Sequence, residues 1–249
     1  MSNASTLLGK TFAYHLRYPM AVDLTRCASC GQPLTNGYYV LIDRPDRFCP
    51  QCIATRPRCD TCGAPLGNRF WNLHDGRRQC DTCHAIAIYD PAQAQQLFQQ
   101  TASMLAEDMG LRLNVGVAFR LVDAPTMAQL RDPQLPGLNT LGLYQRRNHI
   151  RVIYLLYGLP LLVFRITAAH EYAHAWQTEQ CPLLRDEFLR EGHAEWVAYR
   201  HLLQLGSQKA AARMLDENHP YYHPLRHMLA LEAQLGVTGV NAYLKRLEQ

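Results

Sequence analysis

No stretch of this chain is apolar for long enough to cross a bilayer. The longest apolar run, Val152 to Phe164, has thirteen residues and is broken by Gly158 and Pro160, well short of the roughly 20 that a helical span needs. Met1 to Lys10 lacks both the basic start and the apolar stretch of a secretory leader. Charge is sparse too: 18% of residues are charged against 48% hydrophobic. That balance excludes a disordered chain and leaves ample material for a core. These absences imply a soluble, cytoplasmic protein with no membrane association. Its 249 residues suit one large domain, or a small module followed by a medium one.

Cysteine, by contrast, is abundant and ordered. Eight of the nine cysteines fall into four C-x-x-C pairs: Cys27/Cys30, Cys49/Cys52, Cys59/Cys62 and Cys80/Cys83. Two-residue spacing lets both sulfurs of a tight knuckle face one metal, whereas disulfide frameworks show no such regularity. Gly31 and Gly63, each just after a pair, supply the left-handed backbone that a knuckle needs. The segment is also duplicated, with C-A-S-C-G-Q-P-L echoed by C-D-T-C-G-A-P-L. Two structural zinc sites in series follow, Cys27, Cys30, Cys49 and Cys52 holding one and Cys59, Cys62, Cys80 and Cys83 the other. Spacing alone leaves an interleaved ligation open. A core this small cannot stand without metal, and Tyr38, Tyr39, Phe70 and Trp71 are expected to cover it. From Cys27 to Cys83 seven arginines and five aspartates, with no lysine or glutamate, give +2; eight thiolates and two Zn²⁺ bring the metallated module to −2. Such a surface is poorly suited to phosphate backbones, so a protein partner is expected and nucleic acid is not.

The second ordered stretch is H-E-Y-A-H, His170 to His174. On a helix, residues four apart stand one turn above each other, so the two imidazoles address one point. Zinc accepts two imidazoles and a carboxylate and keeps a fourth position for water. Glu171, beside the first ligand, reaches that water as general base. Glu191 comes seventeen residues after His174 within R-E-G-H-A-E-W, and a second helix crossing the first brings it in as third ligand. Glu195, one turn later on the same face, can hold the outer nitrogen of a ligand histidine. His193 falls on roughly the opposite side and is not a ligand. With the two cysteine sites, this makes three zinc ions per chain, one catalytic and two structural.

Around these motifs the pattern reads as α+β. Residues 1–26 carry no legible motif, 27–88 form the zinc module, and 89–249 form the domain that contains H-E-x-x-H. Asp90-Pro91 opens a helix that Gly110 closes. Strict alternation from Leu111 to Leu121 predicts a strand. Residues 124–137, rich in Pro and Asp, read as a loop, and 138–146 and 149–157 as two further strands of a small antiparallel sheet. The metal helix runs to about Gln177 and the Glu191 helix to Leu205, stopped by Gly206. Shorter helices follow at 207–217, 224–235 and 237–248.

H-E-Y-A-H-A-W, with E-G following at that interval, resembles the DA-one type of metallopeptidase. These are plant organ-size regulators and their bacterial relatives, in which LIM zinc units precede a gluzincin peptidase domain. The likeness covers most of residues 27–205. It implies that His170, His174 and Glu191 bind the catalytic zinc and that Glu171 is the base. It also implies peptide-bond hydrolysis in protein substrates, with the zinc module recognising a partner or regulating the peptidase. Two departures stand out. A LIM unit has histidine at its third ligand position and a shorter spacer between fingers; this chain has Cys49 and six residues, and so is LIM-like. Plant members carry ubiquitin-interacting helices marked by acidic runs, which are absent here, so ubiquitin dependence is not carried over; the resemblance is to a bacterial-type member. Gluzincins place an oxyanion partner downstream, and within Tyr221-Tyr222-His223 the residue taken for that role is Tyr222. A substrate strand is expected to pair with the sheet edge at 138–146. Two other readings compete: a non-catalytic zinc-binding adaptor, and a SprT-like DNA-associated protease. The latter is opposed by Glu191 and by the position of the zinc module ahead of H-E-x-x-H.

Overall fold

The computed structural model describes residues 23–35, 37–41, 45–131 and 140–247; nearly all of the N-terminal segment 1–26 therefore lies outside the described residues. The duplication seen in the sequence is a duplication in space. The first repeat has β1 (Tyr39–Val40) paired with β2 (Arg47–Phe48), then α1 (Pro50–Thr55). The second repeats this as β3 (Trp71–Asn72), β4 (Arg78–Gln79) and α2 (Asp81–Ala85). Gly31 (φ 74°) and Gly63 (φ 70°) take the left-handed conformation, and their N–H groups close the knuckles onto Cys27 O and Cys59 O at 2.8 and 2.9 Å. The aromatic residues do not cover the small core as expected. Tyr38, Tyr39, Phe70 and Trp71 are exposed, while Phe48, Leu66 and the cysteines fill the interior. A four-sulfur cluster leaves little volume to wrap, so the rings find other partners: Arg47 lies over Tyr38, and Trp71 stacks on His84 at 4.0 Å.

β5 (Ala87–Ile88) leads out of the module into α3 (Pro91–Asp108). Asp90 caps α3 by accepting Gln93 N–H at 2.7 Å, with Pro91 in the first turn where no N–H is needed. β6 spans only Ala118–Val122, shorter than the alternation predicts. Its ladder with β8 starts at Ala118 opposite Val152, and Leu111 is buried in the core outside that ladder. Within the expected 124–137 loop lies a helix, α4 (Ala124–Leu130), capped by Asp123 on Thr126 N–H at 2.9 Å. Asp and Pro are as much helix-start residues as loop residues, and composition does not separate the two uses. Residues 132–139 lie outside the described set.

β7 (Gly142–Arg147) and β8 (Ile150–Leu156) form a hairpin turning at Asn148 (φ 55°). The strand order is β6-β8-β7, with β6 parallel and β7 antiparallel to β8. The sheet is thus mixed rather than antiparallel: β7 lies at the edge opposite β6, and β8 returns between them. β9 (Leu159–Pro160) pairs with β5 and launches α5 (Leu161–Gln180). The remainder is helical: α6 (Glu187–Gln204), α7 (Gln208–Met214) and α8 (Tyr222–Arg246), the last broken at Gly236 (φ 71°), where the sequence predicts an end. No helix among the described residues is long and apolar enough to cross a membrane.

α5 is buried on nearly every side. It packs on α3, β7 and β8 and against α6, within a core that includes Phe98, Phe119, Phe164, Trp176 and Trp196. That core also holds His201, whose pKa burial pushes down to about 4. The unfolded chain therefore takes up this proton first, and the contribution to stability, intact above pH 6.5, is lost as pH falls from 6.5 through 4. The loss amounts to on the order of 3 kcal/mol. Urea titrations at pH 7 and pH 4 should show a smaller loss in His201→Gln by about that amount; equal losses would mean that His201 is not held neutral.

Candidate metal centre and hydrolytic site

His170 and His174 stand one turn apart on α5, and α6, started by Asp186 accepting Leu189 N–H at 3.1 Å, brings Glu191 against them. The two Nε2 atoms are 3.1 Å apart. Glu191 Oε2 lies 3.4 Å from His170 Nε2 and Oε1 lies 3.3 Å from His174 Nε2. A tetrahedral zinc with bonds of about 2.0–2.1 Å sets its ligand atoms about 3.3–3.4 Å apart. The three groups are spaced to share one such ion.

The outer ring nitrogens point the same way. His170 Nδ1 lies 3.0 Å from Glu195 Oε2, and His174 Nδ1 lies 3.0 Å from Gln177 Oε1. Carboxylate and amide oxygens only accept, so both Nδ1 atoms carry hydrogen and both Nε2 atoms present lone pairs. Two lone pairs and a carboxylate directed at one point repel unless positive charge sits among them. The demand shows in protonation as well. Burial opposes charging His170, yet Glu191 and Glu195 drive its pKa to about 10. Burial opposes charge on Glu191 too, but the two imidazoles hold its pKa far below the usual carboxylate range. The donor set therefore fits a divalent cation.

Glu171 is buried beside His170, and its Oε2 accepts Tyr144 N–H from β7 at 2.8 Å. The two elements touch closely: a Cβ added to Gly142 would come within 2.5 Å of Thr167 Cγ2 and 2.8 Å of Glu171 Cγ. β7 is the outer strand of its sheet, and Leu141 O accepts Leu156 N–H. The backbone groups of Gly142, Tyr144 and Arg146 therefore face away from β8.

Of the downstream cluster, Tyr221 lies by the histidines, its ring centroid 6.1 Å from that of His170, whereas Tyr222 packs edge-on against His223. Tyr221 immediately precedes α8 and Tyr222 is its first residue, so the start of α8, which sequence places only approximately, decides which ring lies by His170. Burial, then Glu191 and Glu195, push the Tyr221 pKa up to about 12, so its phenol keeps its proton. Sequence reasoning missed His219. It accepts Tyr221 N–H at 3.3 Å and approaches Glu195 Oε1 at 3.3 Å through Nε2, tying this loop to the carboxylate behind His170.

In the cysteine module the four sulfurs of Cys27, Cys30, Cys49 and Cys52 gather in one group, and those of Cys59, Cys62, Cys80 and Cys83 in another, each able to hold a metal ion. The arrangement is serial. Sγ–Sγ distances of 3.9 Å (Cys30–Cys49) and 3.8 Å (Cys62–Cys80) match the edge of about 3.8 Å expected around zinc with 2.3 Å bonds. Cys49 N–H and Cys80 N–H approach Cys27 Sγ and Cys59 Sγ, as thiolates require. Cys181 is buried at the end of α5, outside both groups.

The chain is similar to Protein DA1 of Arabidopsis thaliana, with 25% identity over 189 residues, 62% of this chain and 34% of the relative. It thus spans about a third of that protein's length. No family model matches, and no solved structure matches.

Proposed function

We propose that this chain is a zinc-dependent peptidase of the gluzincin kind, with a LIM-like module that binds or presents a protein partner. The observation that carries the reading is the convergence of His170 Nε2, His174 Nε2 and Glu191 at 3.1–3.4 Å, with Glu171 seated between them and β7, where it accepts Tyr144 N–H. Similarity to a DA-one protein supports it. Zinc bound by these residues would supply Lewis acidity to a scissile carbonyl and lower the pKa of a water. The residues of the chain do the rest. An extended peptide adds along the outer side of β7, at outward backbone groups other than the Tyr144 N–H that Glu171 holds, which gives affinity with little side-chain preference. Glu171 takes the proton of the attacking water and delivers it to the leaving amine. The neutral Tyr221 phenol donates to the carbonyl oxygen as negative charge develops there. Eight reduced thiols in metal sites suit the cytoplasm.

The test is proteolysis of an unfolded protein such as casein by the zinc-loaded chain, followed by mass spectrometry of the fragments. Cleavage by the wild type that chelator abolishes and zinc restores is expected. Equal inertness of wild type and Glu171→Gln across a broad substrate panel would leave a zinc-binding adaptor as the better account.

A further inference from the structure

Behind His174 runs a chain of buried amides and imidazoles that hydrolysis does not directly use. Asn241, in the part of α8 after Gly236, donates through Nδ2 to Met109 O at 2.7 Å, at the end of α3. A carbonyl only accepts, so the amide is fixed with Oδ1 toward His193 Nε2, 3.1 Å away. His193 Nε2 therefore carries the hydrogen. Gln177 is fixed likewise: its Nε2 donates to Arg190 O at 2.8 Å, and the same nitrogen lies 3.0 Å from His193 Nδ1, which must accept. That leaves Gln177 Oε1 for His174 Nδ1 at 3.0 Å. Each group has one orientation consistent with the next, and a carbonyl at one end sets the direction of the whole run. His193 lies between the rings of Trp176 and Trp196, centroids 5.3 and 5.6 Å away, and is fully buried. No water is needed to complete the sequence.

We propose that Gln177, His193 and Asn241 are positioning residues, forming a one-way hydrogen-bond relay from the α3 terminus to His174. The relay holds the His174 ring in place with its Nε2 lone pair directed at the metal point. It makes α8 a determinant of metal affinity although α8 supplies no ligand. The inference rests on the metal-centre reading of His170, His174 and Glu191, and not on peptidase activity.

The experiment is zinc competition against a chromophoric chelator on the full chain, with nitrogen-15 NMR of the histidine rings of the wild type. In the wild type, His174 should show the Nδ1–H form and His193 the Nε2–H form, which needs no variant. Gln177→Met, similar in size but unable to accept from His174, should weaken one zinc about 10–100-fold and leave the other two unchanged. Asn241→Leu, which touches no ligand, should weaken the same zinc severalfold. The relay is overturned if His193 is found as the Nδ1–H form. It is also overturned if both variants melt cooperatively and hold that zinc as tightly as the wild type, for then these residues only fill the core. A wild type that binds two zinc ions would instead bring down the metal-centre reading, and the relay with it.

Discussion

Glu171→Gln should keep every zinc of the wild type while hydrolysing unfolded protein at least about a thousandfold more slowly, within the range attributed to a lost general base. The substitution is chosen for what it keeps. A glutamine oxygen still accepts Tyr144 N–H as Glu171 Oε2 does, so the contact between β7 and α5 survives. Neither imidazole loses the partner on its outer nitrogen, since those partners are Glu195 and Gln177. What disappears is the basic oxygen beside the attacking water. Initial rates on a labelled casein, paired with metal analysis of the same samples, read both halves of the prediction. A variant that retains a tenth or more of the activity would place the base elsewhere.

The two cysteine clusters should differ sharply in what they do for the rest of the chain. Cys59→Ser/Cys62→Ser is expected to lose one zinc and to lower the melting temperature of the whole protein by about 10 °C or more. Cys27→Ser/Cys30→Ser should lose one zinc and melt within about 3 °C of the wild type. The reason lies in what each repeat touches. The second repeat grips the start of α5: β5 pairs with β9, Leu161 N–H reaches Ile86 O at 3.0 Å, and Gln79 Nε2 donates to Gly158 O at 2.7 Å. Asp75 accepts Ala124 N–H at 3.1 Å at the start of α4. A handful of such bonds at about 1 kcal/mol each is a large share of marginal stability, and they persist only while metal holds the module folded. The first repeat leans on the second, as in Ser29 Oγ donating to Leu66 O at 2.8 Å. Calorimetry on the two double variants distinguishes these outcomes, and equal melting temperatures would mean that the second repeat does not brace the metal helix.

Local chemistry made much of this legible in the sequence. The cysteine pairs, the glycines after them, the Asp90-Pro91 helix start and the break at Gly236 all act within a few residues, and each appears where spacing puts it. The H-E-x-x-H spacing likewise needed only helical geometry, whereas Glu191 needed a second helix to cross the first. What escaped depends on contacts between distant segments. The parallel pairing of β6 with β8 joins segments more than 30 positions apart, and nothing in either strand announces it. Alternation from Leu111 promised a longer strand, but the ladder with β8 starts only at Ala118, and Leu111 is buried in the core instead. Tyr221 rather than Tyr222 lies by His170 because of one residue in the approach to α8. Gln177 was within reach, three residues past His174 on the same helix, while Asn241, 48 positions from His193, gave no local sign.

Zinc content per folded chain tests the centre of this account most directly. Elemental analysis should give three zinc ions in the wild type and two in a His170→Ala/His174→Ala variant that keeps its circular dichroism, because each of the three donor groups can hold one ion. Two zinc ions in both proteins would contradict it, for the converging acceptors on α5 and α6 would then hold no metal.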